Sequence, residues 1–254
     1  MSADAAALEP AVDAADPQSG DDGFVFDAGA FACVVAGRDL TGYACRFRSD
    51  GYRDDLFAAY AIAWPAQLDR AVVKRRSDYL AGRICARRAL TALGLAAVDV
   101  PIGPDREPVW PAGVIASISH AGDRAVCLAS ADPQIVGLGI DIEGRLPPGM
   151  AADIRNEVVD AAESAAIEAH FADPVQGLAT VFSAKESLFK ALFPQVGEFF
   201  GFEAMRIAGL APGRIEFAAT QTLAATVRQG DRYAVDYLLD GEDVRTVACV
   251  LRRD

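Results

Sequence analysis

The chain has 254 residues, 52% of them hydrophobic and 24% charged, with 22 Gly and 13 Pro. That is ordinary globular composition, long enough for one large domain or two modest ones around a sizeable core. With 24 Lys+Arg against 36 Asp+Glu, the formal charge of −12 has the wrong sign for a sequence-independent nucleic-acid binder.

Residues 1–23 are rich in Ala and acid (Asp4, Glu9, Asp13, Asp16, Asp21, Asp22) and lack aromatic side chains. Such a segment cannot offset its own ordering entropy, so it reads as a disordered acidic leader. Order is expected from Phe24-Val25-Phe26 and the strand-like run Phe31 to Val35. From Arg75 to Leu93 the spacing of Leu80, Ile84 and Leu90 predicts a helix, stopped by Gly94. The next stretch, Pro101 to Pro111, carries four prolines and reads as turns.

Ile115 to His120 and Ala125 to Ala129 read as short strands joined at 121–124. Ile135 to Ile142 is apolar enough to be central in a sheet. Two helices are expected next, over about 151–171 and about 174–193. After Pro194 come strand fragments, among them Thr222 to Arg228, Tyr233 to Leu239 and Arg245 to Leu251. The layout is compatible with two halves, 24–133 and 134–254, each of helix plus sheet.

Five scattered cysteines without a C-x-x-C pair read as reduced core residues. No run approaches the roughly 18 apolar residues of a membrane span. No positive charge precedes Arg38, so a signal peptide is not expected, and the cytoplasm is the default compartment.

Four groups of residues carry chemistry. Asp141 and Glu143 close the apolar strand at i and i+2, on one face. Two carboxylates held together repel unless a proton or a hard cation such as Mg²⁺ intervenes, although both could simply be solvated beside Arg145. On the 174–193 helix, Leu178, Val181, Phe182, Phe189 and Leu192 form an apolar stripe with Lys185 in its middle and Glu186 at its edge. A charge on that face needs a partner or a cleft: Lys185 could snorkel, form an internal ion pair, or meet phosphate together with Lys190. His120 ends Ser117-Ile-Ser-His at a turn and could be a satisfied turn residue or, with Ser119, a ligand contact. Lys74, Arg75, Arg76, Arg83, Arg87 and Arg88 reverse the local sign, as a solvated helix face or as a site for a polyphosphate or an acidic partner.

Together, Lys74-Arg-Arg-Ser-Asp-Tyr-Leu-Ala-Gly-Arg83, Pro108-Val-Trp-Pro111, Ser117-Ile-Ser-His120, Gly139-Ile-Asp-Ile-Glu143 and Phe182-Ser-Ala-Lys-Glu-Ser-Leu-Phe-Lys190 resemble the 4′-phosphopantetheinyl transferases of the surfactin and enterobactin-synthase component D type. The resemblance spans roughly residues 30 to 195 and fades beyond Pro194. It implies an α/β (α+β) fold of two similar halves with pseudo-twofold symmetry and the active site between them. It also implies transfer of 4′-phosphopantetheine from coenzyme A to a serine of an apo acyl or peptidyl carrier protein, as in holo-acyl-carrier-protein synthases, releasing adenosine 3′,5′-bisphosphate.

Carried over, Asp141, Glu143 and Glu186 are implied Mg²⁺ ligands. Arg75, Arg83, Ser119, His120, Asp141, Lys185 and Lys190, with the turn Asp105-Arg106-Glu107-Pro108, are implied coenzyme A contacts. Glu186 and Lys185 are implied catalytic groups, with general base and leaving-group acid open between them. A monomer is expected, serving a siderophore, polyketide, nonribosomal-peptide or fatty-acid carrier. Two other readings stay open: a Mg²⁺-dependent nucleotide pyrophosphohydrolase using the same carboxylates on water, and a non-catalytic module that binds coenzyme A or a carrier domain.

Overall fold

The structure is a computed structural model that describes residues 23–95, 98–241 and 243–253. The leader at 1–22 lies outside the described residues. The chain divides into two compact units: Arg38–Pro133 groups with the described residues up to Val34, and the chain from Gln134 groups with Val35–Gly37.

The N-terminal unit is built from β1 (Val25–Val35), β2 (Arg38–Phe47), the short α1 (Leu56–Ala59), α2 (Val73–Ala92), β3 (Ile115–Ala121) and β4 (Arg124–Ser130), with sheet order β1-β2-β4-β3. Val25, Phe26 and the run at 31–35 belong to one strand, β1, with Phe24 just before it. Its partner β2 escapes a reading by periodicity because Gly42 interrupts it. The ring of Phe31 occupies the place where a Cβ on Gly42 would sit. Both neighbours of β4 are antiparallel, with Cys45 and His120 each opposite Ala125. α2 buries Leu80, Ile84, Cys85 and Leu90 against this sheet, whose contribution includes Cys45, Cys127 and Ala129. Cys33, Cys45, Cys85 and Cys127 are free and buried, Cys249 is free and half-buried, and Cys45 Sγ lies 3.5 Å from Cys85 Sγ as a thiol–thiol hydrogen bond.

The C-terminal unit holds β5 (Ile135–Glu143), α3 (Pro148–Val158), α4 (Ala161–His170), α5 (Pro174–Val196), β6 (Met205–Ala211), β7 (Arg214–Ala219), β8 (Arg232–Asp240) and β9 (Asp243–Leu251), in a five-stranded sheet ordered β5-β9-β8-β7-β6. β5 is therefore not central, as its composition had implied, but ends the strand order. Its apolarity answers to α5, which lies along it. Gly137 and Gly139 make this approach possible: a Cβ there would collide with the carbonyl oxygens of Ala191 and Ser187.

The expected 151–171 helix is two helices. Asp160, in extended backbone, ends the first and caps the second through a reciprocal capping box with Glu163. α5 starts at the cap of Asp173, which accepts from Val175 N at 2.9 Å, and it outruns the expected end at Phe193. Pro194 falls in the last turn, where it removes a single helical bond, and Gly197 at φ +73° closes the helix by donating to Phe193 O. Thr222 to Arg228 is not a strand; only the bridge Ala224–Val227 forms there. The strands β6 and β7 fall within the stretch expected to hold strand fragments, though not among the fragments named. Among the described residues no helix is long and apolar enough to cross a membrane.

Candidate functional site

In the C-terminal unit the site is built on the contact between β5 and α5. At about 100° per residue, Ser183, Glu186, Ser187 and Lys190 share one arc of α5, whereas Lys185 points about 150° away from its middle. The first face meets the strand ends. Asp141, 5% exposed, accepts from Ser183 Oγ at 2.8 Å and from Lys190 Nζ at 2.7 Å. Lys190 also donates to Ile140 O at 3.0 Å. Thr246 on β9 ties the same face down through Ser183 and Ser187, its Oγ1 lying 2.7 Å from Ser187 Oγ.

Glu186 is half-buried on this face. Burial pushes its carboxyl up from the ordinary value; the Lys190 ammonium pulls it back, and the charge of Asp141 adds to the rise. The charge of Asp141 thus bears on Glu186. Glu143, half-buried, stands two residues beyond Asp141 on β5, opposite Val244.

The donors suit a hard divalent cation in kind: carboxylate oxygens, one pair of which would gain from a positive charge between them. They are not gathered into a closed ligand set, and among the described residues no three His, Cys, Asp or Glu side chains form one. The positive charge beside Asp141 is instead that of Lys190.

Lys185 corrects an expectation. Its ammonium is directed neither at Asp141 nor at solvent; 3% exposed, it donates to Val158 O at 2.7 Å, to Glu163 Oε2 at 3.1 Å and to Phe202 O at 3.3 Å. The internal ion pair is the arrangement adopted. Burial lowers the Lys185 pKa, and Glu163 opposes the fall. Reading the sequence missed Glu163, whose one signal was Asp160-x-x-Glu163, the spacing of a capping box.

The N-terminal unit holds a cavity of about 550 Å³ lined by Arg75, Asp78, Tyr79, Arg83, Arg106, Pro108, Ile118 and His120, among others. Five of the expected coenzyme A contacts thus share one wall. Arg83 is positioned by its Nε, which donates to Val100 O at 2.7 Å, and by Tyr79, whose ring centroid lies 4.5 Å from the guanidinium. Burial lowers the Arg83 pKa, with Tyr79 opposing the fall; an arginine keeps its charge nonetheless. His120 Nδ1 is 4.0 Å from Asp78, which Lys74 also pairs.

Ser119 is buried on β3 and is not part of the cavity wall. Nor are Asp105 and Glu107. Glu107 folds back to accept from Asp105 N at 2.9 Å, and its carboxylate fills the space beside Gly103. Its work is to shape the turn, in which Arg106 adopts φ +68°. Of the basic cluster, Arg76 is spent on Asp54 at 3.2 Å and on the carbonyls of Leu68 and Asp69, and Arg87 on Ala61 O.

A cation-lined cavity in one α+β unit and a carboxylate–lysine cluster in the other are the equipment of a phosphoryl-transfer class. Comparison with known proteins agrees. Residues 64–130 match the model of the 4′-phosphopantetheinyl transferase N-terminal domain, and residues 137–241 match the 4′-phosphopantetheinyl transferase superfamily. Enterobactin synthase component D of Salmonella typhi is 30% identical over 200 residues, 78% of this chain and 82% of that protein. The 4′-phosphopantetheinyl transferase Svp of Streptomyces mobaraensis is 34% identical over 185 residues, 72% of each chain. The transferase PptT of Mycobacterium tuberculosis is 34% identical over 143 residues, 54% of this chain and 60% of that one. The chain belongs to the 4′-phosphopantetheinyl transferase superfamily.

Proposed function

We propose that the protein moves the 4′-phosphopantetheine arm of coenzyme A onto a serine hydroxyl of an apo carrier protein, leaving adenosine 3′,5′-bisphosphate. Family membership supports the reaction class. The observation that carries the assignment of residues is the Asp141–Glu186–Lys190 cluster where α5 meets β5.

In this reading Arg75, Arg83, Arg106 and His120 hold phosphates in the N-terminal unit, where cationic donors on a partly buried wall are worth more than in water. Asp141, Glu143 and Glu186 would hold Mg²⁺, which when bound draws charge from the diphosphate oxygens. Serine oxygen bonds to the pantetheine-side phosphorus, the bond to the bridging oxygen breaks, and the electron pair leaves with the nucleotide. Glu186 accepts the serine proton. Its place on the α5 face that carries Ser183 and Lys190, both bonded to Asp141, supports this role. Lys190 stabilises charge on the departing phosphate. Its bond to Asp141 presets the ammonium at the strand end. The carrier specificity of a holo-acyl-carrier-protein synthase, action as a monomer and a cytoplasmic location belong to the same proposal, the last supported by the free cysteines.

The test is mass spectrometry of apo carrier domains incubated with enzyme, Mg²⁺ and coenzyme A. The expected result is addition of the prosthetic arm, abolished by excess chelator and by Glu186→Gln. Cleavage of coenzyme A without an acceptor would replace this reading with a pyrophosphohydrolase. Mg²⁺-indifferent binding without turnover would replace it with a binding module.

A further inference from the structure

The buried ion pair on the far side of α5 has a second consequence for the site. Lys185 Nζ carries three protons, and three acceptors from three places surround it: Val158 O at the end of α3, the Glu163 carboxylate on α4, and Phe202 O in the turn before β6. Nothing is left over for a substrate phosphate. Glu163, 6% exposed, is as fully engaged. Besides Lys185, at 2.9 Å from Oε1, it accepts from Ile207 N at 2.9 Å on β6 and from Asp160 N at 3.2 Å in the cap of α4. One carboxylate thus gathers α4, α5 and β6.

The pair also fixes how α5 is turned. Residues 185 and 186 differ by about 100° around the helix, so pinning Lys185 against Glu163 sets the direction in which Glu186 leaves the other side. Ser183 and Lys190, both bonded to Asp141, mark that direction. Resting on the transferase reading, we propose that Glu163 is a positioning residue: it holds Lys185 as an internal brace that aims Glu186 toward Asp141, and Lys185 does not touch the phosphates.

This separates two accounts that single substitutions confuse. Removing one partner of a buried pair leaves the other uncompensated, whereas removing both is tolerated. Glu163→Gln and Lys185→Met should each lower kcat at least tenfold, after correction for folded fraction, with KM for coenzyme A unchanged, and Lys185→Arg should retain most of the activity. In the double variant neither buried charge is left without its partner, and kcat should return to within about fivefold of wild type. A double variant as inactive as Lys185→Met, or a rise in KM for coenzyme A in Lys185→Met, overturns the proposal.

A measurement without variants covers the case in which these chains fail to fold. The protein has only three lysines, Lys74, Lys185 and Lys190. In protein carrying ¹⁵N-labelled lysine, the Lys185 ammonium signal should stay in place when coenzyme A is added. Movement of that signal comparable to Lys190 would place Lys185 on the substrate. Wild-type turnover of an apo carrier, measured in parallel, tests the transferase reading by itself: its absence would sink that reading and leave the brace to be judged by the spectrum.

Discussion

Lys190 Nζ lies 2.7 Å from Asp141 Oδ1, joining the penultimate turn of α5 to the end of β5. Asp141 is almost wholly buried, and this contact and the Ser183 hydroxyl are among the bonds its carboxylate accepts. On the proposed reading, a divalent ion held by Asp141 would have the Lys190 ammonium beside it.

Lys190→Met should therefore cost both stability and rate. The loss of a bond to a buried carboxylate is worth about 1–3 kcal/mol of folding free energy. Removing a cationic donor from the departing phosphate should lower kcat roughly 100-fold. Thermal melting and steady-state transfer to an apo carrier read the two effects separately; turnover undiminished beyond the stability loss would remove Lys190 from the chemistry.

Asp160 offers a prediction with a definite sign in pH. The backbone N–H of Glu163 holds its carboxyl below the ordinary range, with help from Arg206. A depressed folded pKa contributes stability that is fully present above the unfolded value, about 3.9, and lost as pH falls through the folded one. Asp160→Asn keeps a capping oxygen but not the charge. The melting-temperature difference between wild type and this variant should thus be largest near neutrality and shrink below about pH 4. A difference that stays constant down to pH 2 would show that Asp160's charge has no part in it.

How far the sequence led differs from element to element. β3, β4, β8 and β9 and the helices α2 and α5 follow from local sequence, because β8 alternates buried with half-buried positions, β4 is buried over nearly its whole length, and the helices carry apolar residues at helical spacing. β2 does not, because Gly42 is spent on the Phe31 ring, a contact that no local pattern reveals. The break at Asp160 was legible in Asp160-x-x-Glu163, yet an Ala-rich stretch on either side reads as continuous helix.

At the site, strand period pairs Asp141 with Glu143, and Glu186 joins them in the sequence only as a possible third ligand and through the family resemblance, because no local period relates β5 to α5. The partner of Lys185 was not legible. A lysine centred on an apolar stripe has the same spacing whether it meets a phosphate or an internal carboxylate, and Glu163, 22 residues earlier, decides between them only in three dimensions.

Arg83 tests the N-terminal cavity apart from the carboxylate cluster. It is held by Val100 O and stacked on Tyr79, so its guanidinium is preorganised before any anion arrives. Arg83→Lys keeps a charge but loses the planar donor fork and the stacking. The expected result is a KM for coenzyme A raised about tenfold or more with kcat nearly unchanged, since on the proposed reading a phosphate contact away from the reacting centre would be made equally in ground and transition states. A coenzyme analogue lacking the nucleotide phosphates should show little difference between the two proteins. A fall in kcat with KM intact would assign Arg83 to the reacting phosphate instead.

Gly139→Ala probes the close approach of strand and helix on which the whole cluster depends. The new methyl group would meet Ser187 O, a backbone atom that cannot rotate aside, so β5 and α5 must separate. Overpacking of this kind costs about 1–3 kcal/mol. The more telling effect is local: α5 carries Ser183, Glu186 and Lys190 together, so displacement lengthens the Asp141 contacts in concert. Activity should fall by more than the stability loss accounts for, at a temperature where the variant is still folded. Gly94→Ala is the control, because that glycine sits at φ +83° with open space around it and bears on stability alone. Equal loss of activity in the two variants, at equal folded fraction, would separate the closeness of α5 and β5 from catalysis.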